Sequence, residues 1–442
     1  MKRTLFLLSI ITSCFIISCS DDDDYTKNNP EKENVDGYYY KSHCKDIQLI
    51  GEGSSRFNAD SYNKTSLNEA ETQVVDGIND FSFRLFRKLE GSAVQKNKNL
   101  FVSPFSIQQV LAMVANGAGD NALAEIYGTL GYDGSQEDYN SANRVLLNLV
   151  KKSDDSGKLE IANAAWIDYT QPVFKAFRSD IQNYYDADIL GVDVTANDAG
   201  KIVNSWCTDK THGMIPSIVD DGALPYRLIL ANAVYFKALW SSQFSPELTS
   251  KQRFYNSNGT SSDVEMMRWD KTVTCKYAST DNADVLSLPF VSGYEMVIFL
   301  PHDKAGLASC INSMDYAKWN TSLSMQESTP VDLLMPKFQV KDDMKLIEVL
   351  ESMGVKKLFA DKGGLSKLST TPLFVEELAQ KSVINVDERG TEATALTYMM
   401  EGTGLPETEP KPVEFKVNHP FFYAIYDTNT RTILFVGTVK SL

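Results

Sequence analysis

A segment near the C-terminus can exist either as an exposed loop or as a buried strand. From Thr391 onward every second residue is small or uncharged: Thr391, Ala393, Ala395, Thr397 and Met399. No proline occurs from position 386 to position 405. A strand needs alternating faces, and an internal proline would remove a donor from its hydrogen-bonded ladder. We therefore expect a loop that can become a central strand, which is a stored conformational change.

The first 18 residues predict a lipoprotein signal peptide. Two basic residues at positions 2 and 3 precede an apolar run, 5–17, that is too short for a membrane-spanning helix. The small and aliphatic residues before Cys19 resemble a bacterial lipoprotein processing site, so we expect Cys19 to carry the lipid. Cys14 is a second candidate, although apolar residues follow it. A plain signal peptide with an incidental cysteine is the third interpretation.

Residues 19–68 are predicted to form an acidic, flexible tether. They are rich in Asp, Asn, Lys, Ser and Gly, and a flexible chain of that length spans roughly 40 Å by the square-root scaling of linkers. The acidic run 21–24 is either a solvated spacer or similar to the signal that sends some bacterial lipoproteins to the outer face of the outer membrane. We expect a surface-exposed outer-membrane lipoprotein whose only membrane contact is its N-terminal lipid.

Composition and motifs argue against several classes of function. The net charge of −15 argues against nucleic-acid binding, because phosphate contacts need clustered cations. The cysteines beyond the signal peptide form no CxxC pair and are expected to be buried thiols or, in an exported protein, a disulfide; they are Cys44, Cys207, Cys275 and Cys310. The four histidines are scattered, and no nucleophile elbow, phosphate loop or dinucleotide fingerprint occurs. We expect a monomer that is not an enzyme and uses no cofactor or metal.

Periodicity predicts one mixed α+β domain over residues 69–442. Strands are predicted at 159–167, 228–236, 285–290, 296–300, 331–334, 421–426 and 432–436. Helical spacing predicts a first helix from Val74, a second capped by Ser103 with Pro104 in its first turn, and another that ends at Gly354. No linker interrupts this region, and 442 residues with 43% hydrophobic content are ample for a large core.

Seven short segments occur in order along this domain. They are NLFVSPFS at 99–106, IANA at 161–164, NSW at 204–206 with THGMI at 211–215, LANAVYFK at 230–237, MPKF at 335–338, ERGTEATA at 388–395 and FKVNHPFF at 415–422. Each segment alone is weak, but together they make the chain similar to the serpin family over nearly 370 residues. The resemblance implies a serpin fold with three β-sheets, about nine helices and an exposed reactive-centre loop, here at about 389–413.

The resemblance also implies an irreversible suicide inhibitor of serine endopeptidases, with cysteine endopeptidases as further candidates. The target forms an acyl-enzyme with the loop, whose hinge then inserts into the main sheet. The implied hinge residues are Glu388, Gly390, Thr391, Glu392, Ala393, Thr394 and Ala395. Non-inhibitory members usually carry bulky, charged or proline residues here. The inward-facing set has no charge in this chain, which favours an inhibitor; the alternative is a non-inhibitory binding protein that is cleaved as a substrate.

The family's usual loop length, counted from Glu388, places the scissile bond between Gly404 and Leu405. Thr403 and Met400 are the alternative cleavage positions. No Lys or Arg lies between positions 390 and 410, which argues against trypsin-like targets. We expect elastase-like, subtilisin-like or papain-like target proteases.

Two further groups of residues match functional positions of the family. Ser103, Ser106 and Asn232 match the shutter, where the main sheet parts, and Gln380 replaces the shutter histidine of many members. Lys337 and Glu388 match a salt-bridged pair at the top of the main sheet. An exposed pair of this kind contributes less than about 1 kcal/mol.

Overall fold

The computed structural model describes residues 39–54, 57–92, 98–154, 156–360, 363–391 and 411–442 of the chain. These ranges contain one 3-10 helix, Ala59–Tyr62, and eleven α-helices. The helices are α1 (Tyr39–His43), α2 (Glu69–Glu90), α3 (Pro104–Ala115), α4 (Asp120–Leu130), α5 (Gln136–Val150), α6 (Lys175–Tyr185), α7 (Ala199–Lys210), α8 (Leu307–Ser313), α9 (Tyr316–Ser324), α10 (Ile347–Met353) and α11 (Lys357–Ala360).

The strands within the same ranges are β1 (Leu49–Ile50), β2 (Leu100–Val102), β3 (Ser153–Asp154), β4 (Gly157–Asp168), β5 (Val173–Phe174), β6 (Ala187–Val192), β7 (Leu228–Leu239), β8 (Ser245–Tyr255), β9 (Ser261–Arg268), β10 (Val273–Ser279), β11 (Ala283–Pro289), β12 (Tyr294–Pro301), β13 (Glu327–Pro336), β14 (Phe338–Lys345), β15 (Glu377–Val386), β16 (Gly390–Thr391), β17 (Val413–Lys416), β18 (Phe421–Asp427) and β19 (Ile433–Val439).

Local capping explains where the principal helices begin and end. The Asn68 side chain accepts the Glu71 N–H, and the Glu71 carboxylate accepts the Asn68 N–H, both at 2.9 Å, so α2 starts with a capping box. The Ser103 hydroxyl accepts the Ser106 N–H at 3.2 Å, and Pro104 is the first residue of α3. Gly354 ends α10 with a φ of 119°. The predicted caps at Ser103 and Gly354 are confirmed.

The strands form three sheets among the described residues. The main sheet has the order β14-β15-β16-β7-β4-β3, with β6 beside β4. A ten-stranded sheet has the order β2-β19-β18-β12-β11-β10-β13-β9-β8, with β17 beside β13, and β1 pairs with β5 alone. The α+β class and the three sheets are confirmed. The described residues contain eleven α-helices, where the family resemblance implies about nine; α1, α8 and α11 are short helices of four to seven residues.

The main sheet is covered on both faces. Alternate residues of β4 and β7, such as Ile161 and Leu230, face a large core that also contains α2 and α3. Residues of the opposite face, such as Trp166 and Ala231, pack against α7 in a second cluster. The Trp166 and Trp206 rings meet edge to face at 6.4 Å. Helix α3 therefore lies behind the sheet and α7 lies in front of it.

Helix α1 packs on α7, although the sequence predicted a tether there. Tyr40 is 6% exposed. Its N–H donates to the Ser205 hydroxyl at 2.9 Å, and its hydroxyl donates to the Asp209 carboxylate at 3.1 Å. The Lys45 N–H donates to the Gly191 carbonyl at 2.8 Å, beside the end of β6.

The remaining part of the predicted tether is also attached to the folded body. Leu49 and Ile50 pair in parallel with Val173 and Phe174, and the 3-10 helix contacts α5. Residues 37–442 form one compact unit. The tether prediction is therefore corrected for residues 39–54 and 57–68. A polar segment with only two short apolar groups has no visible periodicity, and its partners are distant in the chain: Tyr40 and Ser205 are 165 residues apart, and Tyr62 and Ser141 are 79 residues apart.

The four cysteines that follow Cys19 in the chain are free thiols. Cys207, Cys275 and Cys310 are buried, and Cys44 is half-buried. Burial raises the pKa of Cys207 and of Cys275 to about 12, and the pKa of Cys44 and of Cys310 to about 11. These side chains are therefore protonated at neutral pH and act as small apolar groups.

Candidate functional site

The main sheet has a gap between its two parallel strands β15 and β7. Their ladder consists of two pairs at one end, Glu377 with Ile229 and Leu378 with Leu230. At the other end β16 lies between them: Val386 of β15 pairs with Thr391, and Ala238 of β7 pairs with the same residue. The hinge residues Gly390 and Thr391 thus already occupy the position of an added strand.

Two residues shape the start of β16: Thr391, whose side chain is buried and hydrogen-bonded, and Gly390, which has no side chain. Thr391 is 1% exposed, and its hydroxyl accepts the Ala238 N–H at 2.9 Å. Gly390 has a φ of 152°, and a Cβ there would lie 2.0 Å from the Ala238 carbonyl oxygen. Only glycine lets the backbone approach β7 this closely. The Asp387 carboxylate accepts the N–H groups of Arg389 and Gly390 at 2.9 and 3.2 Å and closes the turn that leads into β16.

Glu388 anchors this turn to the neighbouring sheet. Its carboxylate lies 3.0 Å from the Lys337 ammonium and accepts the Thr249 hydroxyl at 2.8 Å. Its carbonyl accepts the Phe244 N–H at 2.9 Å. Burial alone would raise the pKa of Glu388, but the hydrogen bonds from Thr249, the backbone and Lys337 together with the Lys337 charge lower it below its ordinary value. The ionised form of Glu388 is thus the one that the folded protein stabilises.

We expect replacement of Glu388 by Gln to lower the free energy of unfolding at pH 7 and to lower it less at pH 3. Because the folded-state pKa of Glu388 is depressed, its contribution is present above the unfolded value of about 4.3 and is lost as the pH falls through the folded-state pKa. Urea unfolding of both proteins between pH 7 and pH 3 measures this. Glu247→Gln, at an exposed position on β8, is the matched control. A difference between wild type and Glu388→Gln that is independent of pH would contradict the assignment.

A buried chain of hydrogen bonds joins both sides of the gap to α3. The Gln380 side-chain amide on β15 bonds both backbone groups of Ser103: it accepts the Ser103 N–H at 2.9 Å and donates to the Ser103 carbonyl at 3.2 Å. The Ser106 hydroxyl donates to the Asn232 amide oxygen on β7, and the Asn232 amide donates to Asn163 on β4 at 2.8 Å. The structure thus brings together all four predicted shutter residues. Gln380 and Asn232 are therefore each bonded to the start of α3, and no hydrogen bond among the described residues joins these two side chains directly across the gap.

Several predicted site residues lie outside the described residues. They are Cys19, Glu392, Ala393, Thr394, Ala395, Met400, Thr403, Gly404 and Leu405. Two contributors were missed from the sequence. Asn163 interrupts an apolar face of β4, and that break in the alternation was a usable signal. Thr249 had no such signal, because only the fold places β8 beside the hinge. Among the described residues, no group of three or more His, Cys, Asp or Glu side chains could hold a metal ion.

Comparisons with known proteins match the region of the chain that contains β7 and β15. A family model described as "Serpin (serine protease inhibitor)" matches residues 76–442. The leukocyte elastase inhibitor of Xenopus tropicalis is 33% identical over 375 residues, which cover 82% of this chain and 97% of that protein. Iripin-3 of Ixodes ricinus is 31% identical over 382 residues, which cover 85% of this chain and 96% of that protein.

The fold also matches a solved structure. The crystal structure of a thermophilic protein, tengpin, in its native state matches with a TM-score of 0.75 and 28% sequence identity. The match covers 91% of this chain and 99% of the tengpin chain. The fold that contains the main sheet is therefore shared with tengpin.

Proposed function

The chain belongs to the serpin family, and we propose that it is an irreversible inhibitor of endopeptidases. In this proposal the target cleaves the loop, and the cleaved loop enters the main sheet while the acyl-enzyme is still intact. The family model is one of serine protease inhibitors, and a relative that is named an elastase inhibitor matches along almost its full length. Both relationships support inhibition as the coarse function.

The observation that carries the proposal is the position of β16 between β15 and β7. A segment that continues from Thr391 along this gap would gain ladder bonds on both sides. The two flanking strands are paired directly at only two residue pairs, so little existing structure has to be broken. The bonds from Gln380 and Asn232 tie each flanking strand to the start of α3, and neither bond joins the two strands to each other across the gap.

The proposed chemistry begins with the target's own nucleophile. Its serine or cysteine side chain attacks the carbonyl carbon of the residue before the scissile bond, which we place at Gly404–Leu405. The peptide bond breaks, the nitrogen of Leu405 takes up a proton and leaves as a free amine, and the loop end stays bound to the target as an ester or thioester. Insertion of the freed hinge then moves the bound protease before water can hydrolyse this bond.

The residues near the proposed bond support targets with small or medium apolar specificity pockets. Thr403 and Gly404 are small, Leu405 and Met400 are apolar, and no Lys or Arg lies between positions 390 and 410. We therefore propose elastase-like, subtilisin-like or papain-like targets rather than trypsin-like ones. An enzyme of the papain type reads the residue before the one that is cut, and Thr403 suits that position.

Incubation with an elastase-like or subtilisin-like protease is expected to yield an SDS-stable adduct of 1:1 composition. Because insertion competes with hydrolysis, a small fraction of cleaved, free protein should accompany it. Mass spectrometry of the released C-terminal fragment should give a mass that begins at Leu405. Trypsin, assayed in parallel, serves as the control protease and should form no adduct through this loop.

Two results of this experiment would reject the proposal in different ways. Complete cleavage without any adduct would indicate the alternative, a non-inhibitory binding protein that is cut as a substrate. A fragment that starts before Tyr398 would leave too short an inserted segment and would overturn the assigned bond. An adduct whose fragment begins at Gly404 or at Glu401 would instead select one of the alternative positions, Thr403 or Met400.

We also propose that the protein is anchored to the outer membrane of a bacterium through a lipid on Cys19, with the inhibitory domain exposed. The support is the signal-like segment, the position of Cys19 and the acidic run that follows it. In the part of the chain that the structure describes, no helix has the length and apolarity to cross a bilayer. Membrane fractionation of a Cys19→Ser variant tests the anchor, because loss of the lipid should release the protein.

A further inference from the structure

A cleft of about 410 Å³ lies beside β4, on the side that faces away from β7. Its floor is β4 from Leu159 to Asn163, and its walls include Lys152 after α5, Asp188 of β6 and Lys210 at the end of α7. This volume falls in the lower part of the range of roughly 300–1,000 Å³ that is typical of ligand sites. The hinge and the shutter do not account for it.

The cleft coincides with a break in the pairing of β4. Strand β3 pairs with Gly157 and Lys158, and the Leu159 N–H donates to the Lys152 carbonyl at 2.9 Å. Strand β6 begins to pair with β4 only at Asn163. Backbone groups alternate between the two sides of a strand, so the N–H and C=O of Ile161 point to the same outer side as the Leu159 N–H. No strand lies beside Ile161 on that side among the described residues.

Lys210 is a basic side chain of the lining that lacks a partner among the described residues. It forms no ion pair or hydrogen bond within the part of the chain that the structure describes. Asn163 also borders the cleft, but its side chain shares the α3 face of β4 with Ile161, and its amide oxygen accepts the Asn232 amide there.

The acidic residues of the lining are already engaged. The Asp186 carboxylate pairs with Arg144 and Lys151, Glu160 lies 2.7 Å from Lys158 and 2.5 Å from His212, Asp209 accepts the Tyr40 hydroxyl at 3.1 Å, and Asp188 accepts the Trp206 indole N–H at 3.4 Å. Within the described part of the chain, the groups of the cleft that remain without partners are therefore the N–H and C=O of Ile161 and the Lys210 ammonium. A ligand that matches them supplies a backbone donor and acceptor and a negative charge.

We propose that this cleft binds short extended peptides that end in a free carboxylate. One peptide residue pairs with the N–H and C=O of Ile161 as a short added strand, and the carboxylate pairs with Lys210. Three extended residues span roughly 10 Å, and apolar side chains can pack on Leu159 and Ala162. Hydrolysis of proteins by endopeptidases is the class of reaction that supplies such peptides.

Calorimetric titration of the full chain, with its loop uncut and no protease present, tests this site separately from the proposed inhibition. The probe is acetyl-Leu-Ala-Leu with a free carboxylate, compared with its C-terminal amide and with the same peptide methylated on the Ala nitrogen. We expect 1:1 binding of the free acid. The amide, the methylated peptide and the Lys210→Ala variant should each weaken binding at least tenfold. Lys210→Arg keeps the charge and should retain binding.

The matched control is Lys271→Ala, at an exposed lysine between β9 and β10, which should bind as the wild type does. Absence of saturable binding of the free acid would overturn the proposal. Equal binding of the acid and the amide would overturn the role of the carboxylate and of Lys210. A fourth titration uses decanoate, a carboxylate without peptide bonds, to separate a fatty-acid ligand from a peptide ligand. If decanoate binds as tightly as the peptide and N-methylation of the peptide has no effect, the proposed strand pairing at Ile161 is wrong.

Discussion

A single cut of the loop at the proposed bond, Gly404–Leu405, is expected to raise the melting temperature by more than about 10 °C. An inserted strand from Thr391 to Thr403 would be some 43 Å long at roughly 3.3 Å per residue. About a dozen residues that each gain ladder bonds worth roughly 0.5–1.5 kcal/mol stabilise the cleaved form by on the order of 10 kcal/mol.

The unfolding entropy of the domain relates this free energy to a shift in melting temperature. About 370 residues with an unfolding entropy of about 2.1 cal/mol/K each have a total of roughly 0.8 kcal/mol/K, so 10 kcal/mol corresponds to about 13 °C. The uncut protein is then a kinetically trapped state, so both samples are heated at one fixed scan rate. Differential scanning calorimetry of uncut and cut protein measures the shift.

The informative control is a cut sample that is unable to insert its loop, such as cut Thr391→Arg. That sample should melt close to the uncut protein. Equal melting temperatures for cut and uncut wild type would show that the loop stays outside the sheet. The gap between β15 and β7 would then be a static feature, and trapping of a protease by insertion would be wrong.

Replacement of Thr391 by Arg is expected to convert the inhibitor into a substrate, with at least a tenfold loss of the fraction of protease that is trapped. Thr391 is 1% exposed between β15 and β7. A buried guanidinium without a partner costs several kcal/mol. The substituted hinge would therefore leave its place between β15 and β7, its re-entry after cleavage would be slow, and hydrolysis of the acyl-enzyme would finish first. Gel analysis of adduct against cleaved protein measures the partition.

Two matched variants separate this effect from a general loss of stability. Thr391→Ser keeps a hydroxyl that can accept the Ala238 N–H, and it should retain the adduct. Glu392→Arg introduces the same charge one residue later, on the face that the sequence predicts to be solvent-exposed, and it should also retain the adduct. Loss of the adduct in Glu392→Arg together with Thr391→Arg would mean that charge near the target, and not burial, decides the outcome.

The hinge and the shutter show how far the sequence could lead. The order of short motifs identified the main sheet and placed Ser103, Ser106, Asn232 and Gln380 in one functional group, and the structure brings their side chains together. The replacement of the shutter histidine by Gln380 was visible in the sequence. The Gln380 side chain bonds both the N–H and the carbonyl of Ser103. This contact depends on the distance between β15 and α3, which a local sequence pattern does not predict.

The N-terminal segment shows where sequence reasoning failed. Residues 39–54 are polar overall, and linker scaling treated them as a free chain. The burial of Tyr40 against α7 and the pairing of Leu49 with Val173 arise from single contacts with distant residues. A single aromatic side chain in a polar segment has no period, so only its partner's surface reveals that it is buried.

The amino-acid sequence alone established the family, the α+β class and a hinge whose alternating small residues suit a strand, because these follow from local periodicity and from motifs in linear order. Only the tertiary structure decided that Gly390 and Thr391 have already entered the main sheet, that α1 packs on α7, and that β4 has an open edge at Ile161. Strand neighbours and unpaired edges depend on contacts between residues far apart in the chain, and local preference does not encode which of those contacts form together.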